Sequence, residues 1–411
     1  MTHSHSHVPG DFHTPANIRR LLALITLPFA LATLAGLVVL WPEGSTRKAA
    51  VDFPSGLADA TVTAVEEGPC PGFDTPSKLD EDAASEPAQT CTQGRATLTS
   101  GPDRGREAAF DLSEGVSPLP VKEGDKIVLA KDPKAPAGEE YYFADRQRSR
   151  PMLLLAAIFA AVVVALGRLK GLSALAGLAV SLGVLVFFVL PAILDGSDPV
   201  AVSVVGSALV MFVGLYTAHG FNARTTSALL GTLVSLSITA LLAFAFVAMG
   251  QLSGFSSEEA TFLNVASAGS INFRGLVLAG IVIGSLGVLD DVTVTQASAV
   301  WQLRASNPSL TALELYRFAI RIGRDHIAST VNTLVLAYAG ASLPLLMLFT
   351  LGGSRIGDVV TSEIVAEEIL RTLVGSIGLV ASVPITTGLA AVIAVKGRPQ
   401  GRQRPAGAES G

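Results

Sequence analysis

The chain has 411 residues, of which 50% are hydrophobic and only 15% are charged, against roughly a quarter charged in ordinary globular proteins. Its mean hydropathy of +0.52 and its 40 glycines predict a protein that lies mostly in a lipid bilayer. The net charge of −5 leaves no dense basic surface for neutralising phosphates, which argues against nucleic-acid binding.

The N-terminal segment predicts a leader followed by a membrane anchor. Residues 1–20 carry histidines at alternating positions, a pattern that can bind a divalent metal. We expect instead a disordered cytoplasmic leader and no metal site. Residues 21–41 form an apolar run that is too long for a signal peptide, and no small-residue cleavage site precedes the next domain. They predict a retained transmembrane anchor.

Residues 43–148 predict a separate β domain outside the cytoplasm. They hold 20 of the chain's 34 acidic residues. Five short β-like runs are separated by Gly, Pro and Asp turns, which is typical of a small barrel of the OB type. The predicted strands are residues 60–65, 95–99, 107–112, 125–130 and 140–143.

The chain's two cysteines both lie in this β domain. Cys70 and Cys91 flank a loop rich in Pro and Asp. Outside the cytoplasm a disulfide between them is the natural interpretation, and closing a loop of this size would stabilise the domain by about 3 kcal/mol. The alternative is a pair of free thiols.

Seven further apolar runs follow, each close to the about 20 residues that a helix needs to cross a bilayer. They are residues 151–167, 172–194, 200–217, 226–249, 275–295, 327–351 and 372–395. With the anchor they predict a mainly α fold, a polytopic membrane bundle of about eight transmembrane helices, with the OB-like domain inserted after the first helix. The bundle proper occupies residues 151–396, and residues 397–411 predict a disordered basic tail.

Lys and Arg are concentrated in alternate short loops, and this asymmetry sets the orientation of a membrane protein. It predicts that both termini lie in the cytoplasm and that the β domain lies on the other side. We see no convincing internal similarity within residues 151–395.

The run at 275–295 differs from the other spans because polar and small residues follow one face of its helix. Spacings of three and four residues place seven positions on that face. This polar seam consists of Gly280, Gly284, Gly287, Asp291, Thr295, Ser298 and Gln302. Glycines permit close helix approach, so Asp291 should face protein or a water-filled cavity, with Asp290 about 100° to one side. Alternatively, Asp291 is solvated near the cytoplasmic edge and pairs with Arg304 or Arg321.

The next span is polar on about half of its circumference. One face carries Asp325, Ser329, Asn332, Leu336 and Gly340, and the adjacent stripe begins at His326. Lipid cannot satisfy these polar groups, so we expect them to pack against the preceding polar helix. His326 either titrates near neutrality or is an ordinary interfacial histidine.

The segments beside these two spans carry further expectations. Arg321 and Asp325 are four residues apart and can pair on one helix. Residues 310–324 predict an amphipathic segment at the membrane surface. The stretch 256–272 predicts a re-entrant or surface helix.

Two motifs resemble those of the YibE/F family of multispanning bacterial membrane proteins. The first is residues 284–298, GSLGVLDDVTVTQAS. The second is residues 322–326, IGRDH, followed by residues 331–340, VNTLVLAYAG. The resemblance covers roughly residues 151–395, and Asp291 and Asp325 fall on motif positions. It implies a protein of the bacterial plasma membrane but brings no established substrate or reaction.

The pattern of residues favours a secondary transporter or permease for an unknown small solute or ion. No Gly-Lys-Ser or Gly-Lys-Thr loop supports ATP-driven transport, no His-Glu-x-x-His or Gly-x-Ser-x-Gly motif supports catalysis, and we expect neither an enzyme nor a cofactor. A proton or cation site is expected between the sixth and seventh helices. Its predicted residues are Asp291, Asp325, Asn332, Ser329 and Thr295, with Asp290 and His326 beside them.

Two other classes of function stay open. A non-transporting scaffold would bind a protein partner through the extracytoplasmic β domain. An intramembrane hydrolase would use Asp291 and Asp325 as an acidic pair, because Asp290 and Asp291 diverge around the helix and cannot face each other.

Overall fold

A computed structural model describes residues 15–44, 56–69, 90–112, 120–136, 140–353 and 355–397. The chain divides into two compact units. One comprises Val51–Val162, and the other comprises Met1–Ala50 with Val163–Gly411. The histidines of the leader, the basic tail after residue 397 and Cys70 lie outside the described residues, and so does the predicted disulfide.

The first unit contains one antiparallel sheet of five strands in the order β3-β2-β1-β4-β5. The strands are β1 (Leu57–Pro69), β2 (Thr90–Leu98), β3 (Glu107–Leu112), β4 (Lys126–Lys131) and β5 (Tyr141–Arg146). All five predicted strands overlap observed ones, and β3 has the predicted bounds. Alternate residues of β1, β2 and β4 are buried, as expected for a sheet with one face on a core.

The sheet curls until its two edge strands meet. Phe110 of β3 and Phe143 of β5 lie with ring centroids 6.5 Å apart in the core. Phe110 also covers Gly94, its partner in β2, and a Cβ at Gly94 would overlap the phenyl ring. The glycine therefore leaves the space that the ring fills, a known way to stabilise a curved strand pair.

A hydrogen-bonded group ties the loop after β2 to β4 and β5. The Asp103 carboxylate accepts hydrogen bonds from Lys131 Nζ and from Tyr141 Oη, both at 2.6 Å. The bond from Lys131, and then the bond from Tyr141, holds the pKa of Asp103 below its usual range. A carboxylate with a lowered pKa stabilises the fold above the unfolded-state pKa, and this contribution is lost as the pH falls through the folded-state pKa.

We therefore expect the β unit to lose stability as the pH falls below the ordinary aspartate pKa of about 3.9. Asp103→Asn should make this loss of stability smaller. Hydrogen exchange of β4 amides, compared between parent and variant at matched pH, measures the effect. Glu123→Gln, at an exposed carboxylate in the turn before β4, is the matched control. An Asp103→Asn profile parallel to that of the parent would contradict the assignment.

The remaining elements are helical. They are α1 (Ala16–Val39), α2 (Ser149–Gly167), α3 (Leu169–Val184), α4 (Leu190–Leu194), α5 (Pro199–His219), α6 (Ala223–Met249), α7 (Glu258–Ala266), α8 (Phe273–Ser306), α9 (Ala312–Ala341), α10 (Leu343–Leu351), α11 (Ile356–Thr361) and α12 (Glu363–Lys396). A π-helical turn, Leu185–Val189, joins α3 to α4 into one span. Seven helices in the described residues are long and apolar enough to cross a bilayer, or up to eight if the bent pair α9–α10 counts as one span.

The predicted span boundaries differ from the structure at three places. α1 begins at Ala16, inside the predicted leader, and α8 continues to Ser306. The predicted span 327–351 is interrupted, because α9 is continuous from Ala312 to Ala341 and the chain then bends by 60° before α10, so the two helices form one span only as a bent pair. Pro344, in the first turn of α10, explains the break, since proline lacks the N–H that a continuing helix needs.

The structure also describes the two segments beside these spans, residues 310–324 and 256–272. Residues 310–324 are not a separate surface segment, because α9 begins within them at a capping box formed by Thr311 and Glu314. The stretch 256–272 contains a short helix, α7.

Hydroxyl and amide groups join α6, α8 and α12 at the centre of the bundle. Thr232 of α6 and Thr293 of α8 share a hydrogen bond of 2.7 Å, and Thr387 of α12 donates to Gln296 of α8 at 3.0 Å. All four residues are fully buried. In lipid such bonds hold helices together, because no water competes for the polar groups.

Two glycines bring α6 and α12 into close contact. A Cβ at Gly231 of α6 would overlap Thr386, and a Cβ at Gly378 of α12 would overlap Thr239. The Thr239 hydroxyl donates to a carbonyl of its own helix, at Ser235, over 2.9 Å. Backbone-to-side-chain packing of this kind is typical of small-residue helix crossings in membranes.

Candidate functional site

The two carboxylates of α8 lie halfway along the helix. Asp290 is 17 residues after Phe273 and 16 before Ser306, hence about 26 Å and about 24 Å from the two ends. Buried apolar residues flank it on both sides, including Leu289 toward one end and Val300 toward the other. The two carboxylates therefore lie in the middle of a helix that is longer than the predicted span 275–295.

The two carboxylates have different surroundings. Asp290 is half-buried, and its Oδ1 is buried with no hydrogen-bond partner among the described residues. The Asp291 side chain is 73% exposed, and its Oδ2 lies 3.9 Å from Nε2 of His326 on α9. Asp291 and His326 thus form a carboxylate–imidazole contact between α8 and α9 in the described part of the chain.

The predicted pairing with arginines is not found among the described residues. Arg304 donates to backbone carbonyls of the α8–α9 loop and of α12. Arg321 donates to a backbone carbonyl of α9, and its guanidinium lies 5.1 Å from the ring centroid of Phe318. Neither arginine forms an ion pair with Asp291 or Asp325. The carboxylates of the site are therefore not neutralised by these cations.

The structure brings His326, rather than Asp325, to Asp291. Asp325, Ser329 and Asn332 are exposed on the free face of α9, and Asp325 forms no hydrogen bond or ion pair within the described ranges. The expected packing of this stripe onto α8 is not present in this state. Sequence periodicity identified the polar face of α9 correctly, but it could not determine where that face points.

The polar seam of α8 also lies open in the described residues. Gly284, Gly287, Asp291 and Thr295 are exposed. A Cβ at Gly287 would meet no atom within 4 Å among the described residues, so no helix packs there. Further along the seam, Ser298 is half-buried and Gln302 is exposed.

The two glycines nearer the start of α8 have polar neighbours. A Cβ at Gly280 would lie 3.7 Å from Arg371 Nη2, and a Cβ at Gly284 would lie 3.6 Å from the Tyr338 hydroxyl. Arg371 itself pairs with Glu368 on α12. A cavity of about 10 Å³, lined in part by Tyr338 and Arg371, lies beside Gly284 and is just large enough for one water molecule.

Sequence reasoning missed the buried amide of Gln296. Its Oε1 accepts the Thr387 bond, while its Nε2 is buried without a partner in the described residues. A Cβ at Gly323 of α9 would lie only 2.7 Å from that Nε2, so α9 touches α8 closely here. Gln296 is five residues after Asp291, which places it on nearly the opposite face of α8. It is therefore not one of the polar residues that share the face of Asp291.

The comparisons with known proteins identify the family of this chain. A family model described as YibE/F-like protein matches residues 155–396. Neither the curated proteins nor the solved structures include a significant match to this chain.

Proposed function

Because the chain belongs to the YibE/F-like family, we propose that it is a secondary transporter of the bacterial plasma membrane that is coupled to protons or another cation. Family membership and the apolar helices indicate a membrane protein. The observation that carries the transport proposal is the Asp291–His326 contact at mid-helix, beside the half-buried Asp290. The transported solute or ion is unidentified.

The chemistry of these three groups suits reversible cation binding. Two adjacent carboxylates repel each other when both are ionised, which favours a proton or a metal cation between or beside them. The His326 imidazole, whose Nε2 lies 3.9 Å from Asp291 Oδ2, adds a nitrogen that can serve as a cation ligand. Ionisable residues inside a membrane span commonly mark ion pathways, and secondary transporters bind substrate and ion near the middle of the bilayer.

Exposed polar groups of α8 and α9 extend the proposed site. Thr295 on α8 and Ser329 and Asn332 on α9 offer oxygens and an amide at exposed positions. Asp325 adds a second carboxylate on the exposed face of α9. We propose that these four residues line the route by which a hydrated ion or solute reaches Asp291.

Flux through proteoliposomes tests the proposal. We expect Asp291→Asn and His326→Gln to lower the movement of protons or sodium under an imposed gradient to the level of protein-free liposomes. Asp358→Asn, at an exposed carboxylate on α11, is the matched control and should retain flux. Retained flux in Asp291→Asn at equal insertion would overturn the proposed site.

A scaffold role is the second candidate, and the uncovered polar stripe of α9 favours it. Polar groups on a spanning helix need a partner, and a second protein could provide one. The β unit supports the same idea, since its strand order with β3 meeting β5 suits an OB-type barrel, a frequent binding module. The flux measurement separates the two proposals, because a scaffold passes no ion in either parent or variant.

A further inference from the structure

α8 and α12 share a sequence pattern. Residues 284–295 read GSLGVLDDVTVT and residues 375–386 read GSIGLVASVPIT. Five of the twelve aligned positions are identical, and four more exchange one aliphatic residue for another. Both helices contain 34 residues. The two helices therefore resemble two copies of one unit.

The arrangement of the helices agrees with the sequence pattern. The Thr387–Gln296 and Arg304–Val395 hydrogen bonds both join residues 91 positions apart, so α8 and α12 run parallel with equivalent residues at the same depth. Repeats related by an axis along the membrane normal have this geometry. α6 and α9 both contact this pair of helices, with Gly231 of α6 against Thr386 of α12, and with Gly323 of α9 against Val383 of α12 and Gln296 of α8.

The two copies differ in one respect, the burial of their small-residue face. On α12 the equivalent face consists of Gly375, Gly378, Ser382 and Thr386, and all four are buried. On α8 the corresponding positions are Gly284, Gly287, Asp291 and Thr295, and all four are exposed. The copy that lies open is the one that carries the carboxylates.

α6 packs over the small-residue face of α12. If α8 and α12 are two copies of one unit, α9 is the helix that corresponds to α6 and would pack over the same face of α8. α6 reaches the α12 face through Thr239 at Gly378. α9 already approaches Asp291 of the open face through His326, and it touches α8 again at Gln296 through Gly323, while a Cβ at Gly287 would meet no atom within 4 Å in the described residues. Gly287 is four residues before Asp291 on α8, and the residue four after His326 on the antiparallel helix α9 is Thr330, which therefore lies nearest to opposite Gly287.

We propose that α9 closes over the polar seam of α8, as α6 is closed over α12, and that this closed state buries Asp291. The inference rests on the proposed function, for which it supplies the occluded state of the site. The seam is thus a docking surface for α9 of the same chain. A second copy of the protein is the competing occupant.

Disulfide trapping tests the closure. Gly287→Cys with Thr330→Cys should form an intramolecular disulfide when membranes are mildly oxidised, although a Cβ at Gly287 meets no atom within 4 Å in the described residues. Thr239→Cys with Gly378→Cys is the matched control, because a Cβ at Gly378 would lie 3.2 Å from Thr239 Cβ, close to disulfide range. Both pairs are examined with Cys70 and Cys91 retained and with both replaced by serine.

The charge of Asp291 should oppose closure, because burying a carboxylate is costly. Asp291→Asn should therefore speed disulfide formation at 287 and 330 several-fold, whereas Asp358→Asn should not. A disulfide that appears only as a cross-linked dimer would overturn the proposal in favour of a second copy. Absence of any disulfide at 287 and 330, while the control pair forms one, would overturn it outright. The readout is a covalent bond, so it fails or succeeds independently of flux.

Discussion

Gly231→Ala should destabilise the helical bundle by about 1–3 kcal/mol, the usual cost of overpacking a well-packed core. The added methyl group would overlap the Thr386 hydroxyl and lie 2.9 Å from Thr386 Cβ. Thr386 is fully buried, so its side chain has little room to move aside. α6 and α12 would have to separate, and the Thr232–Thr293 bond one residue away on α6 would be strained with them.

The matched control is Gly287→Ala, another glycine in mid-helix. Its methyl group would meet no atom within 4 Å in the described residues. Alanine favours a helix over glycine by about 1 kcal/mol, so this variant should be neutral or slightly stabilised. Thermal unfolding of the purified proteins in detergent measures both. Replacing Thr386 by glycine in the Gly231→Ala background should restore part of the loss, and equal melting temperatures for the two alanine variants would contradict the close contact.

Phe110→Ala should destabilise the β unit by about 3–5 kcal/mol, the range for truncating a buried phenylalanine. Only 2% of Phe110 is exposed, and the ring fills the space above Gly94 while it contacts Phe143 on the far edge of the sheet. The variant therefore leaves a cavity where the curl closes. A small domain has a total stability of the same order, so the unit should be largely unfolded.

Limited proteolysis of the full chain measures this effect, since an unfolded β unit is cleaved faster. Tyr142→Ala is the matched control, because Tyr142 is an aromatic residue in β5 that is 44% exposed. It should be cleaved at nearly the parental rate. Equal cleavage of both variants would mean that the sheet is held closed by other contacts.

Much of the fold could be predicted because its determinants are local. Apolar runs of about 20 residues identified the spans, and alternation between turns identified the five strands. The bend before Pro344, which interrupts the seventh predicted span, could not be predicted, because hydropathy alone does not show where a helix breaks. The strand order also needed the structure, since periodicity says nothing about which strands pair.

The site was only partly predictable for a related reason. A helical period shows which residues share a face, but not which neighbour that face meets. Asp291 was therefore identified, whereas its contact with His326 in place of Asp325 was not. The similarity of α8 and α12 is difficult to detect in the sequence, because α8 carries two aspartates where α12 has Ala381 and Ser382.

The hydroxyl groups of α6 bear on how the protein is made. Thr232, Ser235 and Thr239 each donate to a carbonyl four residues earlier in the same helix. α6 can therefore leave the translocation machinery and enter lipid alone, with these donors already satisfied. α8 carries two carboxylates that its own backbone cannot satisfy, so its insertion should wait for partners. During synthesis α6 would then serve as the early template on which the later helices assemble.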